Sequence, residues 1–96
     1  KLTFADIELD PETFSLMCKN SIRLSVKEYE LMHYMLSNPG AELTGQVLLE
    51  RIWRNEPDAG EDTVWLYISY LKGKLLSVGS SITISGKKGE SYRLVS

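Results

Sequence analysis

Apolar residues recur along this chain with two periods, about two and about three and a half residues, and the changes of period divide it into elements. Leu2, Phe4, Ile7 and Leu9 alternate with polar residues, with one slip between Phe4 and Ile7. This predicts a strand over residues 2–9 with an irregularity at Ala5-Asp6. Asp10-Pro11-Glu12-Thr13 reads as a turn, because proline fixes one dihedral and Asp10 can bond the backbone two residues on. Phe14–Cys18 reads as a second strand, Lys19-Asn20-Ser21 as a turn, and Ile22–Leu24 as a third strand, together an antiparallel meander. The period then lengthens. Ser25-Val26-Lys27-Glu28 is a capping box that opens a helix from Val26 to about Asn38. Its apolar stripe is Tyr29, Met32, Met35 and Leu36, and Pro39-Gly40 ends it. Thr44 is a second N-cap, followed by Val47, Leu48, Ile52 and Trp53 at helical spacing. Residues 54–61 have turn composition and form a loop. Val64, Ile68, Leu71 and Leu75 predict a third helix from about Asp62 to Ser77, broken by Gly79. Two short strands, Ile82–Ser85 and Tyr92–Val95, close the chain as a β-hairpin.

Winding the third helix at about 100° per residue places its apolar stripe within about 40° of Val64. The opposite face holds Asp62, Leu66, Ser69 and Gly73, with Tyr70 and Thr63 beside them. Lys72 and Trp65 flank one side, and Lys74 and Tyr67 the other. An idle solvated face more often carries Glu and Lys than an exposed Leu66 and Tyr70. A helix of this kind can enter a major groove, its lysines meeting phosphates and its apolar and hydroxyl groups meeting base edges or thymine methyls. The Lys87-Lys88 pair at the tip of the terminal hairpin, among glycines, can approach a narrow minor groove. Each part alone has a bland reading, a solvated helix face and a charged turn. A helix followed at once by a basic hairpin is the more specific pattern, a winged helix.

The net charge is −2, which argues against bulk affinity for nucleic acid, but the charge is unevenly placed. Residues 1–61 carry 6 basic and 11 acidic groups, and residues 62–96 carry 5 basic and 2 acidic. That polarity points the C-terminal third at an anionic partner. Ninety-six residues with 43% hydrophobic content suit one domain, residues 1–96, with a core that needs neither disulfide nor metal. No apolar run is long enough to span a membrane. The single cysteine, Cys18, has no intramolecular partner and suits a reducing cytoplasm; it reads as a strand residue without chemical role. One His and one Cys supply no metal-ligand spacing, and no glycine loop precedes a helix to cradle phosphate, so neither an enzyme nor a cofactor is expected. A first residue other than Met suggests a fragment of something longer.

Five segments resemble the DNA-binding domain of OmpR/PhoB-type response regulators, in order and without a forced gap. Residues 24–31, LSVKEYEL, are similar to the opening of that family's first helix, and Asn38-Pro39-Gly40 to the turn after it. Residues 48–53, LLERIW, resemble the end of the second helix, and residues 63–75, TVWLYISYLKGKL, the recognition helix. Residues 88–94, KGESYRL, resemble the wing. The resemblance implies an α+β winged helix-turn-helix: an N-terminal antiparallel four-stranded sheet, three helices and a C-terminal hairpin. Carried over by position, it implies that Trp53 touches the DNA backbone. It implies that Thr63, Leu66, Tyr67, Tyr70 and Lys72 face DNA from the third helix, where the exposed margin also offers Lys74. Lys88 would enter the minor groove, with Gly89 and Tyr92 shaping the wing. The loop of residues 54–61, with acidic Glu56, Asp58 and Glu61, corresponds to the segment that contacts RNA polymerase in the family.

The function so implied is recognition of promoter half-sites in double-stranded DNA, as a dimer, by the output domain of a bacterial two-component regulator. A receiver domain phosphorylated by a sensor kinase is expected in the full-length protein and is absent from this chain. Asp62 and Tyr70 stand where many members carry arginine, Lys72 and Lys88 replace arginines, and Ser91 replaces the second wing glycine. With the negative net charge, these departures support a second reading, a winged-helix protein-interaction module whose DNA face has decayed.

Overall fold

The computed structural model describes residues 2–96. Four short strands come first: β1 (Leu2–Phe4), β2 (Ile7–Asp10), β3 (Ser15–Met17) and β4 (Ser21–Arg23), antiparallel in the order β1-β2-β3-β4. Then follow α1 (Val26–Ser37), β5 (Leu43–Thr44), α2 (Gly45–Ile52), α3 (Glu61–Ser77), β6 (Thr83–Gly86) and β7 (Ser91–Val95). The last three strands form a second antiparallel sheet in the order β5-β7-β6. This is the α+β arrangement of four-stranded sheet, three helices and terminal hairpin.

Three sequence expectations need correction. Residues 2–9 are not one strand. Phe4 pairs with Ile7, so Ala5 and Asp6 are a two-residue turn and the slip in alternation is a reversal of the chain. Ala5 takes φ 51°, the positive dihedral a tight hairpin turn demands. Phe14 does not open the next strand. It takes φ 58° and closes the preceding turn, its amide donating to the Asp10 carbonyl while the Glu12 amide donates to the Asp10 carboxylate. Its ring stacks on Tyr29 at 4.4 Å, which offsets the strain of a bulky residue in the left-handed region. Cys18 lies just past β3, half-buried, with its thiol toward the Gly79 carbonyl at 3.7 Å. The two-residue strand β5 was not anticipated either. It is too short to show a period, and its pairing of Leu43 with Tyr92 is remote in sequence.

The helix starts follow local chemistry. At α1 the Glu28 amide donates to the Ser25 hydroxyl at 3.3 Å and the Ser25 amide to the Glu28 carboxylate at 2.7 Å. At α2 the Val47 amide donates to Thr44 at 3.1 Å. At α3 the Gly60 amide donates to the Thr63 hydroxyl. The three helices pack on one another around a single core. It gathers Ile7, Leu9 and Leu16 from the first sheet, Leu31, Met32 and Met35 from α1, Leu48 and Ile52 from α2, and Ile84 and Leu94 from the hairpin. Val64, Ile68, Leu71 and Leu75 on α3 are all fully buried within it. Burying that stripe fixes the rotation of α3 about its axis and so decides which residues face out.

Candidate nucleic-acid interface

With its apolar stripe seated, α3 presents Asp62, Leu66, Ser69, Tyr70 and Gly73 to solvent. Leu66 and Tyr70 are each 46% exposed, among the few large apolar side chains left open. Tyr67 is half-buried. It meets Trp53 edge-on at 5.3 Å and Tyr70 at 5.5 Å, an aromatic run from the end of α2 to the outer face of α3. Trp53 itself is 3% exposed, so packing accounts for nearly all of its surface. On the other flank Lys72 lies over the Trp65 ring at 5.4 Å, and Trp65 sits beside Tyr92 of β7. The Thr63 hydroxyl serves as the cap of α3 and lies half-buried.

The hairpin stands beside the start of α3. Its turn closes with the Glu90 amide donating to the Lys87 carbonyl, and Gly89 takes φ 83° there. Lys88 reaches toward α3 and forms an ion pair with Asp62; both side chains are exposed. Lys87 lines a shallow concavity with Glu42, Ser85 and Arg93. Ser91, in place of a glycine, fits in β7 and its hydroxyl reaches Glu42.

Below the hairpin, three elements meet at Glu61. This first residue of α3 lays its carboxylate against buried Gly45, the first residue of α2, where any side chain would overlap it. Two helix N-termini thus converge on one negative charge. The Tyr92 phenol is fully buried close by. Burial pushes its pKa above the ordinary tyrosine range; the Gly89 backbone opposes this, the Glu61 charge adds to it, and Lys88 opposes it. Glu61 Oε1 has no hydrogen-bond partner among the described residues, and the Tyr92 hydroxyl has the Gly89 backbone near it but outside good hydrogen-bond geometry. The Gly45 amide donates to the Glu90 carbonyl at 3.3 Å and completes the junction.

Several predicted site residues therefore sit elsewhere than expected. Lys74 is turned inward from the open margin of α3. It pairs with Glu28 at 2.6 Å and donates to the Arg23 carbonyl at 3.2 Å, because the buried carboxylate of α1 needs a cation. Glu61 is not a loop residue offering its charge to solvent. Its place is the α2–α3–β7 junction. Glu56 is exposed but paired with Lys27 of α1 at 2.8 Å, and Lys27 also donates to the Ile52 carbonyl. The hydrogen bond to Glu56 is the main reason the Lys27 pKa lies above its ordinary value. Only Asp58 of the three acidic groups stands out in the loop as an exposed carboxylate outside these contacts. Sequence reading also missed the Asp62–Lys88 pair and the second partner of Glu28. The capping box is local and legible, whereas Lys74 stands 46 residues beyond Glu28.

No helix is long and apolar enough to cross a membrane, and no group of three or more His, Cys, Asp or Glu among the described residues is placed to hold a metal ion. The family described as "Transcriptional regulatory protein, C terminal" matches residues 19–94. The transcriptional regulatory protein TcrA of Mycobacterium tuberculosis is 33% identical over 94 residues, 97% of this chain and 37% of TcrA. The regulatory protein VanRB of Enterococcus faecalis is 33% identical over 89 residues, 92% of this chain and 39% of VanRB. The chain thus spans about two fifths of the length of these relatives. Among solved structures, the DNA-binding domain of the response regulator AdeR, in complex with an intercistronic region, superposes with TM-score 0.82. It is 27% identical, and the match covers 98% of this chain and 97% of that one.

Proposed function

The chain belongs to the OmpR/PhoB-type family of C-terminal domains of transcriptional regulatory proteins, and from that premise we propose that it recognises promoter half-sites in double-stranded DNA. The family is one of DNA-binding regulators, not of enzymes. The observation that carries the reading is the open face of α3, with Leu66 and Tyr70 each 46% exposed beside a hairpin that carries Lys88. Leu66 and Tyr70 meet base edges and thymine methyls in the major groove. Lys72 meets phosphate, and Lys88 enters the adjacent minor groove over Gly89, with Tyr92 holding the hairpin from below. Trp53 and Tyr67 act by supporting that face, and Thr63 by starting the helix. The AdeR complex supports a domain of this fold working on DNA.

The rest of the longer protein supplies the signal: a receiver domain phosphorylated by a sensor kinase, acting in the cytoplasm and bringing two copies to adjacent half-sites. RNA polymerase meets the α2–α3 loop through Asp58 and the outer edge of Glu56. The relatives' greater length supports further domains.

Titration of the chain with a duplex carrying its site, at varied salt, tests the reading. Three or four phosphates neutralised per copy give a log–log slope of roughly −3 to −4. Leu66→Ala and Tyr70→Ala are expected to weaken binding to that duplex more than to a random one, since base contacts carry the sequence information. Equal losses on both duplexes count against the assignment of α3. The Asp62–Lys88 pair favours a second reading, a protein-interaction module, because it occupies the wing lysine and places a carboxylate on the open face. A slope near zero with measurable affinity for some other macromolecule decides for that reading.

A further inference from the structure

We propose, resting on the DNA-binding reading above, that Asp62 is a specificity-determining residue through which α3 selects cytosine in its half-site. The placement is the first ground. Asp62 lies in the first turn of α3 and shares the outward stripe with Leu66, Ser69 and Gly73. Its side chain is 86% exposed, so it stands at the edge of the face that meets the groove. The N-terminal residues of a recognition helix are the ones that approach base edges.

The chemistry of the carboxylate is the second ground. Ionised, it only accepts hydrogen bonds. In the major groove guanine shows two acceptors and thymine an acceptor beside a methyl, and both repel it. Adenine offers an amine but sets the N7 acceptor next to it. Cytosine alone presents its N4 amine as a donor with no acceptor on the same base. A carboxylate here therefore discriminates by repulsion from three bases as well as by attraction to one.

The third ground is Lys88, the one charged side chain paired with Asp62. The ion pair is exposed and so weak, which makes its exchange inexpensive. On binding, Lys88 leaves the carboxylate for the minor groove and Asp62 gains a base amine in its place. On a site without a donor at that position, Asp62 is left unpaired near phosphates, and affinity falls.

Asp62 also suits the helix N-terminus electrostatically, and a purely structural role of that kind would leave base preference untouched. The test is selection from a random duplex pool by the chain, by Asp62→Ala, by Asp62→Asn and by Lys88→Ala. The unaltered chain is expected to prefer cytosine at one position by about tenfold. That position should lie within about two base pairs of the one that responds to Leu66→Ala, since the four residues from Asp62 to Leu66 advance about 6 Å and one base pair about 3.4 Å. Asp62→Ala flattens that position alone, while Asp62→Asn, which gains a donor, broadens it to include adenine. Lys88→Ala leaves it unchanged. If the unaltered chain selects a motif and Asp62→Ala selects the same one, the assignment of Asp62 is wrong and the DNA reading stands. If the unaltered chain enriches no duplex, the DNA reading fails and the role of Asp62 with it.

Discussion

Glu28 is a charged residue only 4% exposed, and its compensation shows how much of the site's geometry rests on single contacts. Burial alone would raise its pKa. The Lys74 ammonium and the Ser25 amide outweigh that and hold it below the ordinary glutamate value of 4.5. A carboxylate with a depressed folded pKa contributes stability that is complete above its unfolded pKa and is lost as pH falls through the folded one. The chain should therefore weaken below about pH 4.5, with the loss continuing into stronger acid. Lys74→Ala leaves a buried carboxylate without its cation, and we expect a loss of about 3 kcal/mol in chemical denaturation at neutral pH. DNA affinity per folded molecule should hardly change, since Lys74 faces away from the groove; a large loss of affinity without a loss of stability would contradict that placement. Asp6 behaves similarly at an exposed site. The Ser81 amide and the Ser80 hydroxyl lower its pKa to about 2. Comparing denaturation midpoints of Asp6→Asn and the unaltered chain should show a gap above pH 4 that closes between the ordinary aspartate value of 3.8 and about 2. These partners lie more than 45 residues away in the chain, which is why the local motif around Glu28 was readable from sequence and its ion pair was not.

Among the elements, the helices were the most legible part of the sequence, because caps and a long apolar period mark both position and facing. The expected α3 stripe is the buried one; Asp62, Leu66, Ser69, Tyr70 and Gly73 are exposed as expected, whereas Thr63 and Tyr67 are half-buried and Lys74 is turned inward. Strands of three or four residues carry too few positions to separate a hairpin from a kink, so β1 and β2 read as one. Two glycines separate the roles of the helices. Gly73 is exposed in mid-helix with nothing within 4 Å of where a Cβ would stand. Gly73→Ala should stabilise the chain by about 0.8 kcal/mol, read as a rise in Tm. Gly45→Ala should do the opposite, by about 1 kcal/mol, because its methyl forces the flexible Glu61 carboxylate aside. Adding Glu61→Ala should recover a good part of that loss in a double-mutant cycle; simple additivity would show that the two residues do not share the junction. On the hairpin, Lys88 pairs with Asp62 of α3, while Lys87 lines a separate concavity beside Glu42 and Arg93. Lys88→Ala is expected to reduce discrimination for A·T-rich flanks, whose narrow minor groove concentrates negative potential, and Lys87→Ala to produce a smaller, sequence-independent loss. Identical binding curves for both variants on two duplexes differing only in the flank would refute this division.

At the scale of the molecule, charge asymmetry decides orientation more than total charge does. The chain as a whole is acidic at −2, yet five of the seven charges beyond residue 61 are basic, and they belong to α3 and the hairpin. Such a molecule turns one face to a polyanion and the other away, and its encounter rate falls as salt screens the difference. That asymmetry was legible from counting alone, whereas the inward turn of Lys74 and the Asp62–Lys88 pair, which reduce it locally, were not. The junction at Gly45, Glu61 and Tyr92 bears on the same face in another way. It brings the head of α3 and the root of the hairpin against the same helix end, joined there by the Gly45–Glu90 hydrogen bond. On the proposed reading, α3 and the hairpin would meet a duplex as the jaws of a caliper whose opening that junction sets. A half-site stretched or shortened by a single base pair is then expected to bind more weakly or to bend on binding.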